Sequence, residues 1–208
     1  MKKSFRKEDS NASKEIEKFL DKYFYKKEVS DFERFTDKEN QLKGKDVKFS
    51  IDGLNKIIVD EKAQIDYINK DIPTFAFEVD SLQQGRLTGG WLFGEHYKTQ
   101  YYLLISIFSD SEGKSITSDQ INKLNCILIE RKKIIEFLGS QGLNKITSER
   151  ISGNLRKKGN PGSFYENKFE FCKFYLSTHF AEMSVNIIIR KEKLKELATK
   201  IFIVKRED

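Results

Sequence analysis

Asp46, Asp60 and Lys62 are the residues of this chain whose types and spacing could do chemistry. They flank a glycine turn. Val47, Phe49 and Ile51 alternate with polar residues before Gly53, and Ile57 and Val59 do so after it. That period of two reads as a pair of β-strands joined by a tight loop. With Gly53 at the tip of a three-residue loop, Val47 faces Val59, Phe49 faces Ile57 and Asp46 faces Asp60. A slip by one residue would set Asp60 against Val47 and break the apolar pairing. Opposed residues share a sheet face with Cβ atoms roughly 5 Å apart, so two such carboxylates repel unless a cation lies between them. Strand alternation turns Lys62 to the face of Asp60. Two carboxylates and an ammonium on one face form a site for a divalent cation and an activated water. Two other readings stand beside it. The three charges could be the solvated face of an edge hairpin, blocking edge-to-edge pairing. Alternatively Glu61, brought round by a bulge, could replace Asp60 as the ligand.

The elements that must position these residues follow from periodicity. Ser13 can cap a helix over residues 13–25, with Ile16, Phe19, Leu20, Tyr23 and Phe24 on one stripe. Residues 1–12 read as a frayed, charged tail, and 26–45 as irregular structure anchored by Phe32 and Phe35. Residues 63–73 read as a turn ending at Pro73, 74–82 as a strand, 85–90 as a turn, and 91–93 and 100–108 as strands. Thr117 or Ser118 then caps a helix through about Leu138, ended by Gly139. A second helical stretch covers 142–156, a strand 185–189 and a last helix 191–199. The order predicts an α+β fold with a mixed central β-sheet flanked by helices. Its expected partition is a disordered tail (1–12), a core (13–110) and a helical and mixed extension packing on it (111–208).

A helix, an acidic strand and a hairpin partner ending in Asp60-Glu61-Lys62 resemble the core of the PD-(D/E)XK, restriction-endonuclease-like nuclease superfamily. The resemblance covers roughly residues 13–108. On it, Asp46 matches the first metal-binding aspartate and Asp60-Glu61-Lys62 the (D/E)-x-K element. Gln64 resembles an extra polar residue that some members carry. Glu17, ahead of Glu15, is the candidate for the acidic residue of the preceding helix. Lys45 stands where the motif has proline. The resemblance implies a Mg²⁺- or Mn²⁺-dependent endodeoxyribonuclease in which Asp46 and Asp60 hold the metal. Lys62 would orient the water or stabilise developing charge. A homodimer is expected if both DNA strands are cut. The rival is a non-catalytic nucleic-acid-binding or protein-interaction domain that retains the fold.

Composition narrows the remainder. Among 208 residues, 38 Lys+Arg against 32 Asp+Glu leave a net charge of +6, which permits DNA as a partner without demanding it. Seventeen Phe and eight Tyr argue for a packed core. Arg156, Lys157 and Lys158 could grip phosphates, with Arg150 nearby. Glu78 and Asp80 continue a strand and could support the site, and Gln83-Gln84-Gly85-Arg86 could touch DNA or simply turn. Cys126 and Cys172 lie outside metal-ligand spacing and read as reduced structural thiols. His96 and His179 are isolated, which argues against a histidine zinc site or a Ser-His-Asp triad. Residues 1–6 carry charge with no apolar stretch after them, and the longest apolar run, 101–108, is too short to cross a bilayer. The expected location is cytoplasmic, without membrane association.

Overall fold

The computed structural model describes residues 6–83, 85–159, 162, 164–165, 169–177 and 183–207. Residues 1–5 of the expected tail, Gln84, Asn160, Pro161 and His179 lie outside the described residues. The fold is α+β, and the chain divides into two compact units. The first comprises Met1–Ile72, Lys98–Glu130 and Ala198–Asp208; the second comprises Pro73–Tyr97 and Arg131–Leu197. These boundaries do not coincide with a division at residue 110. Hydrophobic patterning shows local elements, whereas this partition depends on chain excursions that leave one sheet and return to it. No described helix is long and apolar enough to cross a membrane.

In the first unit, helix α1 (Arg6–Leu20) runs into a π-helical turn, Asp21–Tyr25, and a last turn, Lys26–Glu28. The helix begins upstream of Ser13, and Ala12 is already buried. Strands β1 (Ser30–Arg34), β2 (Val47–Ile51) and β3 (Leu54–Ala63) form an antiparallel meander, with the short helix α2 (Lys38–Leu42) between the first two. The second unit supplies β4 (Thr74–Gln83) and β5 (Arg86–Gly89) before the chain returns as β6 (Tyr101–Ser109). β6 lies parallel to β3; β7 (Ile121–Glu130) lies antiparallel to β6. One face of this sheet presents Val47, Phe49, Val59, Leu103, Ile105 and Cys126 to Ile16, Phe19, Leu20 and Phe24.

The hairpin register is the one the apolar pattern requires: Val47 opposes Val59 and Phe49 opposes Ile57. The loop achieves it differently. Ile51 pairs with Leu54 around a two-residue turn, Asp52-Gly53, both at positive φ. This is the Asp-Gly chemistry of tight hairpins. A bulge then absorbs one residue; Lys56 takes φ 47°, and its N–H donates to Ser50 Oγ.

Residues 118–138 depart from the expected helix. A short 3₁₀ turn, Ser118–Gln120, leads into strand β7, and the helix α3 covers only Arg131–Ser140. Ile121, Leu124 and Leu128 mimic helical spacing. Yet β7 is a central strand whose residues 126–129 are buried on both faces, so it carries a continuous apolar run. Residues 91–93 form a turn, with Leu92 and Phe93 buried, and 86–89 form β5.

The second unit's sheet adds β8 (Phe164–Tyr165), β9 (Cys172–Ser177) and β10 (Met183–Arg190), in the order β5-β4-β10-β9-β8. Its helices are α3, α4 (Lys145–Lys158) and α5 (Lys191–Leu197). Asn144 caps α4, accepting from Thr147 N–H, and Gly159 ends it in the left-handed region at φ 69°. The chain returns to the first unit for β11 (Lys200–Lys205), which pairs with β7; neither it nor β1 is evident from sequence alternation.

Buried in the second unit is an ion pair between Asp80, 2 % exposed, and Arg156. Ser152 Oγ donates to the same carboxylate at 2.7 Å, and Arg156 Nη2 also donates to the Met183 carbonyl at 3.0 Å. Arg156→Ala would strand a buried carboxylate, and loss of one member of such a pair costs about 3–5 kcal/mol. The variant should unfold at correspondingly lower urea. A loss below about 1 kcal/mol would mean that Asp80 needs no cation.

Candidate functional site

β3 lies between β2 and β6, so it is not an edge and Asp60 is not a solvated edge charge. Asp60, Glu61 and Lys62 pair in unbroken register with Tyr102, Leu103 and Leu104. With no bulge there, alternation separates them: Asp60 and Lys62 share one face, and Glu61 takes the other. Glu61 is thereby removed as a stand-in for Asp60.

Asp46 is delivered to β2 by a pinned approach. Asp37 caps α2, accepting from Asn40 N–H at 2.9 Å. Gly44 turns at φ 67°, and its carbonyl accepts from Thr99 Oγ1 at 2.7 Å. Asp46 N–H then donates to Val59 O at 3.1 Å, and Phe35 N–H donates to Asp46 O at 2.8 Å. The Asp46 carboxylate accepts the Glu61 main-chain N–H at Oδ2, 2.8 Å away.

The result is a pair of acids and one cation. Asp60 is 2 % exposed. Lys62 Nζ sits 2.6 Å from Asp60 Oδ1 and its side chain is 33 % exposed. Asp60 Oδ2 is buried without a hydrogen-bond partner. Burial pushes the Asp46 carboxyl up to about 8; the neighbouring Asp60 charge adds to this, and Lys62 opposes it. The Asp46–Asp60 pair therefore holds a proton to higher pH than an ordinary carboxyl does.

Gln64 and Glu17 are the other residues expected at the site. Gln64 continues the alternation past Lys62, with Oε1 accepting from Ser106 Oγ at 3.3 Å and N–H donating to Ile105 O at 3.0 Å. Glu17 belongs to a second cluster. Its charged surroundings are Arg34, Glu61, Asp21 and Lys14, and burial raises its pKa. Glu15 is held by Lys18 and by Ser118 N–H. Among the described residues no group of three or more Asp, Glu, His or Cys side chains converges as a metal set. Arg156 is engaged with Asp80, whereas Lys157 and Lys158 are exposed at the end of α4.

Sequence reasoning missed the charge cluster on the helix side. Arg34 Nη1 donates to Glu61 Oε2 at 2.8 Å, and its Nε and Nη2 donate to Asp21 Oδ1 at 3.0 and 2.6 Å. Tyr25 Oη donates to Glu61 Oε1 at 2.6 Å. The available signal was Glu61 itself, a charge on the core-facing side of an apolar strand, which demands partners. Comparison with known proteins finds no matching family model, no matching curated protein and no matching solved structure.

The raised Asp46 pKa predicts a pH dependence. In the unfolded chain this carboxyl titrates near its ordinary value of about 4; in the native state it titrates at about 8. Between those values the native state binds the extra proton, so stability falls as pH rises through that window. Glu17, also raised, adds a contribution of the same sign. Thermal unfolding followed across this range should decline for the wild type and markedly less for Asp46→Asn. Parallel declines would remove the carboxylate repulsion from the account.

Proposed function

We propose that the chain is a metal-dependent nuclease of the restriction-endonuclease-like PD-(D/E)XK kind, hydrolysing DNA phosphodiester bonds. One observation carries this reading. A buried aspartate on a central strand lies against a second aspartate whose pKa burial and that neighbouring charge raise, with a lysine on the same face. The mixed sheet and the preceding helix agree with the resemblance. The donor set fits a small hard cation, since both acids offer oxygen and their mutual repulsion falls when positive charge is added. Asp46 and Asp60 would hold Mg²⁺ or Mn²⁺. Bound there, the metal would offset phosphate charge and lower the pKa of an attacking water.

The chain's own residues supply the rest. Asp46 would hold the metal only in its deprotonated form, so metal affinity would rise with pH. Lys62, far more exposed than Asp60, could orient the water or stabilise the negative charge that develops on phosphate. Lys157 and Lys158 supply exposed charge for DNA phosphates. The rival, a non-catalytic nucleic-acid-binding domain, is favoured by one observation: the Asp60–Lys62 ion pair is already complete without an added ion.

Paired assays separate chemistry from affinity. Lys62→Ala should slow plasmid nicking in Mn²⁺ by about a hundredfold or more, while DNA affinity changes by less than about threefold. Replacing Lys157 and Lys158 together should weaken binding and lower its salt slope by up to about two. Wild-type protein that binds DNA yet never nicks it with any divalent metal would establish the rival. A Lys62→Ala variant that cuts at the wild-type rate would remove the lysine from the chemistry.

A further inference from the structure

We propose that Glu61 is a positioning residue: clamped from the helix side of the sheet, it fixes the main-chain N–H that holds Asp46 on the opposite side. The inference rests on the metal-dependent reading above and assigns the residues that hold the site's shape. Glu61 occupies the middle of the Asp60-Glu61-Lys62 run and points away from both neighbours. Its two carboxylate oxygens have different partners. Oε1 accepts from Tyr25 Oη at 2.6 Å and from Arg34 Nη2 at 3.4 Å; Oε2 accepts from Arg34 Nη1 at 2.8 Å. Its side chain is 8 % exposed.

The clamp is itself rigid. Tyr25 is buried and stacks on Phe32, with ring centroids 4.6 Å apart and planes 11° apart. The Arg34 guanidinium lies 5.6 Å from the Tyr25 ring centroid and spans Glu61 and Asp21. Such a planar fork fixes two carboxylates in one orientation. The π-helical turn Asp21–Tyr25 carries both Asp21 and Tyr25, so one local feature of the helix supplies two members of the network.

Rotation of the Glu61 residue in its strand is therefore restrained, and with it the direction of its N–H. That N–H donates to Asp46 Oδ2 at 2.8 Å, beyond the Val47–Val59 pair where the ladder with β2 ends. A side-chain clamp on one face thus sets the orientation of a carboxylate on the other. This is the work that partners behind metal ligands perform, and their loss typically weakens metal binding by about 10–100-fold.

The test measures Mn²⁺ affinity of the full-length protein by electron paramagnetic resonance, well below each variant's melting temperature. Glu61→Ala should weaken Mn²⁺ binding by about tenfold or more. Glu61→Gln should stay within about threefold of wild type, because its amide can accept from Arg34 and donate to Tyr25. Arg156→Ala, destabilising but confined to the second unit, should leave Mn²⁺ affinity unchanged. Folded Glu61→Ala with wild-type affinity would overturn the proposal and leave Glu61 a purely structural charge. Should Glu61→Ala fail to fold, Tyr25→Phe, which deletes a single hydrogen bond, decides: about threefold weaker binding supports the clamp, and unchanged affinity overturns it. Wild-type protein that takes up no Mn²⁺ overturns the metal-dependent reading itself, and the positioning role falls with it.

Discussion

Three successive charges in a central strand form the constraint around which the first unit is built. Asp60, Glu61 and Lys62 lie between β2 and β6, so alternation must place charge on both faces of the sheet. A buried ion costs several kcal/mol unless it is paired and hydrogen-bonded. On the helix side the cost is met in full: Glu61 has an arginine and a tyrosine, and that arginine has a second acid in Asp21. On the other side Lys62 pairs with Asp60 Oδ1, and burial together with the Asp60 charge raises the pKa of Asp46. The helix, its π-helical turn and β1 bring Asp21, Tyr25 and Arg34 to the first of these tasks.

Much of this arrangement was legible in the sequence because strand periodicity is a local property. Val47, Phe49, Ile57 and Val59 admit one register that buries them all, and that register puts Asp46 by Asp60 whatever the turn does. The turn is a case in point. A three-residue loop and a two-residue loop followed by a bulge give the same pairing, and the apolar residues cannot tell them apart. Arg34 was not legible. Its strand shows no apolar alternation and begins beside Asp31 at positive φ, so nothing local announces a strand. β7 misled in the opposite sense. A strand buried on both faces loses alternation, and its surviving apolar residues fell at helical spacing.

Long-range pairings account for the other gaps. Nothing in residues 73–97 says that the chain will leave one sheet and then return as β6 parallel to β3. Nor does the basic end of α4 say which of its cations is already taken. Arg156, Lys157 and Lys158 look alike in sequence, and cations in a last helical turn are favoured by the helix dipole without any ligand. Only one of the three faces Asp80, because the others project from different sides of the same turn.

The two faces of β3 differ in a way that bears on purpose. A network kept for stability tends to have each buried polar atom partnered, and the helix-side acid Glu61 has a donor on both oxygens. The opposite face instead sets two acids against each other, and the pKa of Asp46 is raised by burial and by the Asp60 charge. An asparagine in place of Asp46 could accept the same Glu61 N–H without adding to the charge beside Asp60. The carboxyl therefore contributes nothing to that hydrogen bond that a neutral amide could not, and above its pKa it works against the folded state. Perturbed groups of this kind cluster where a site must attract something absent from the chain. For two hard oxygen donors under mutual repulsion, added positive charge between them is what would remove the conflict.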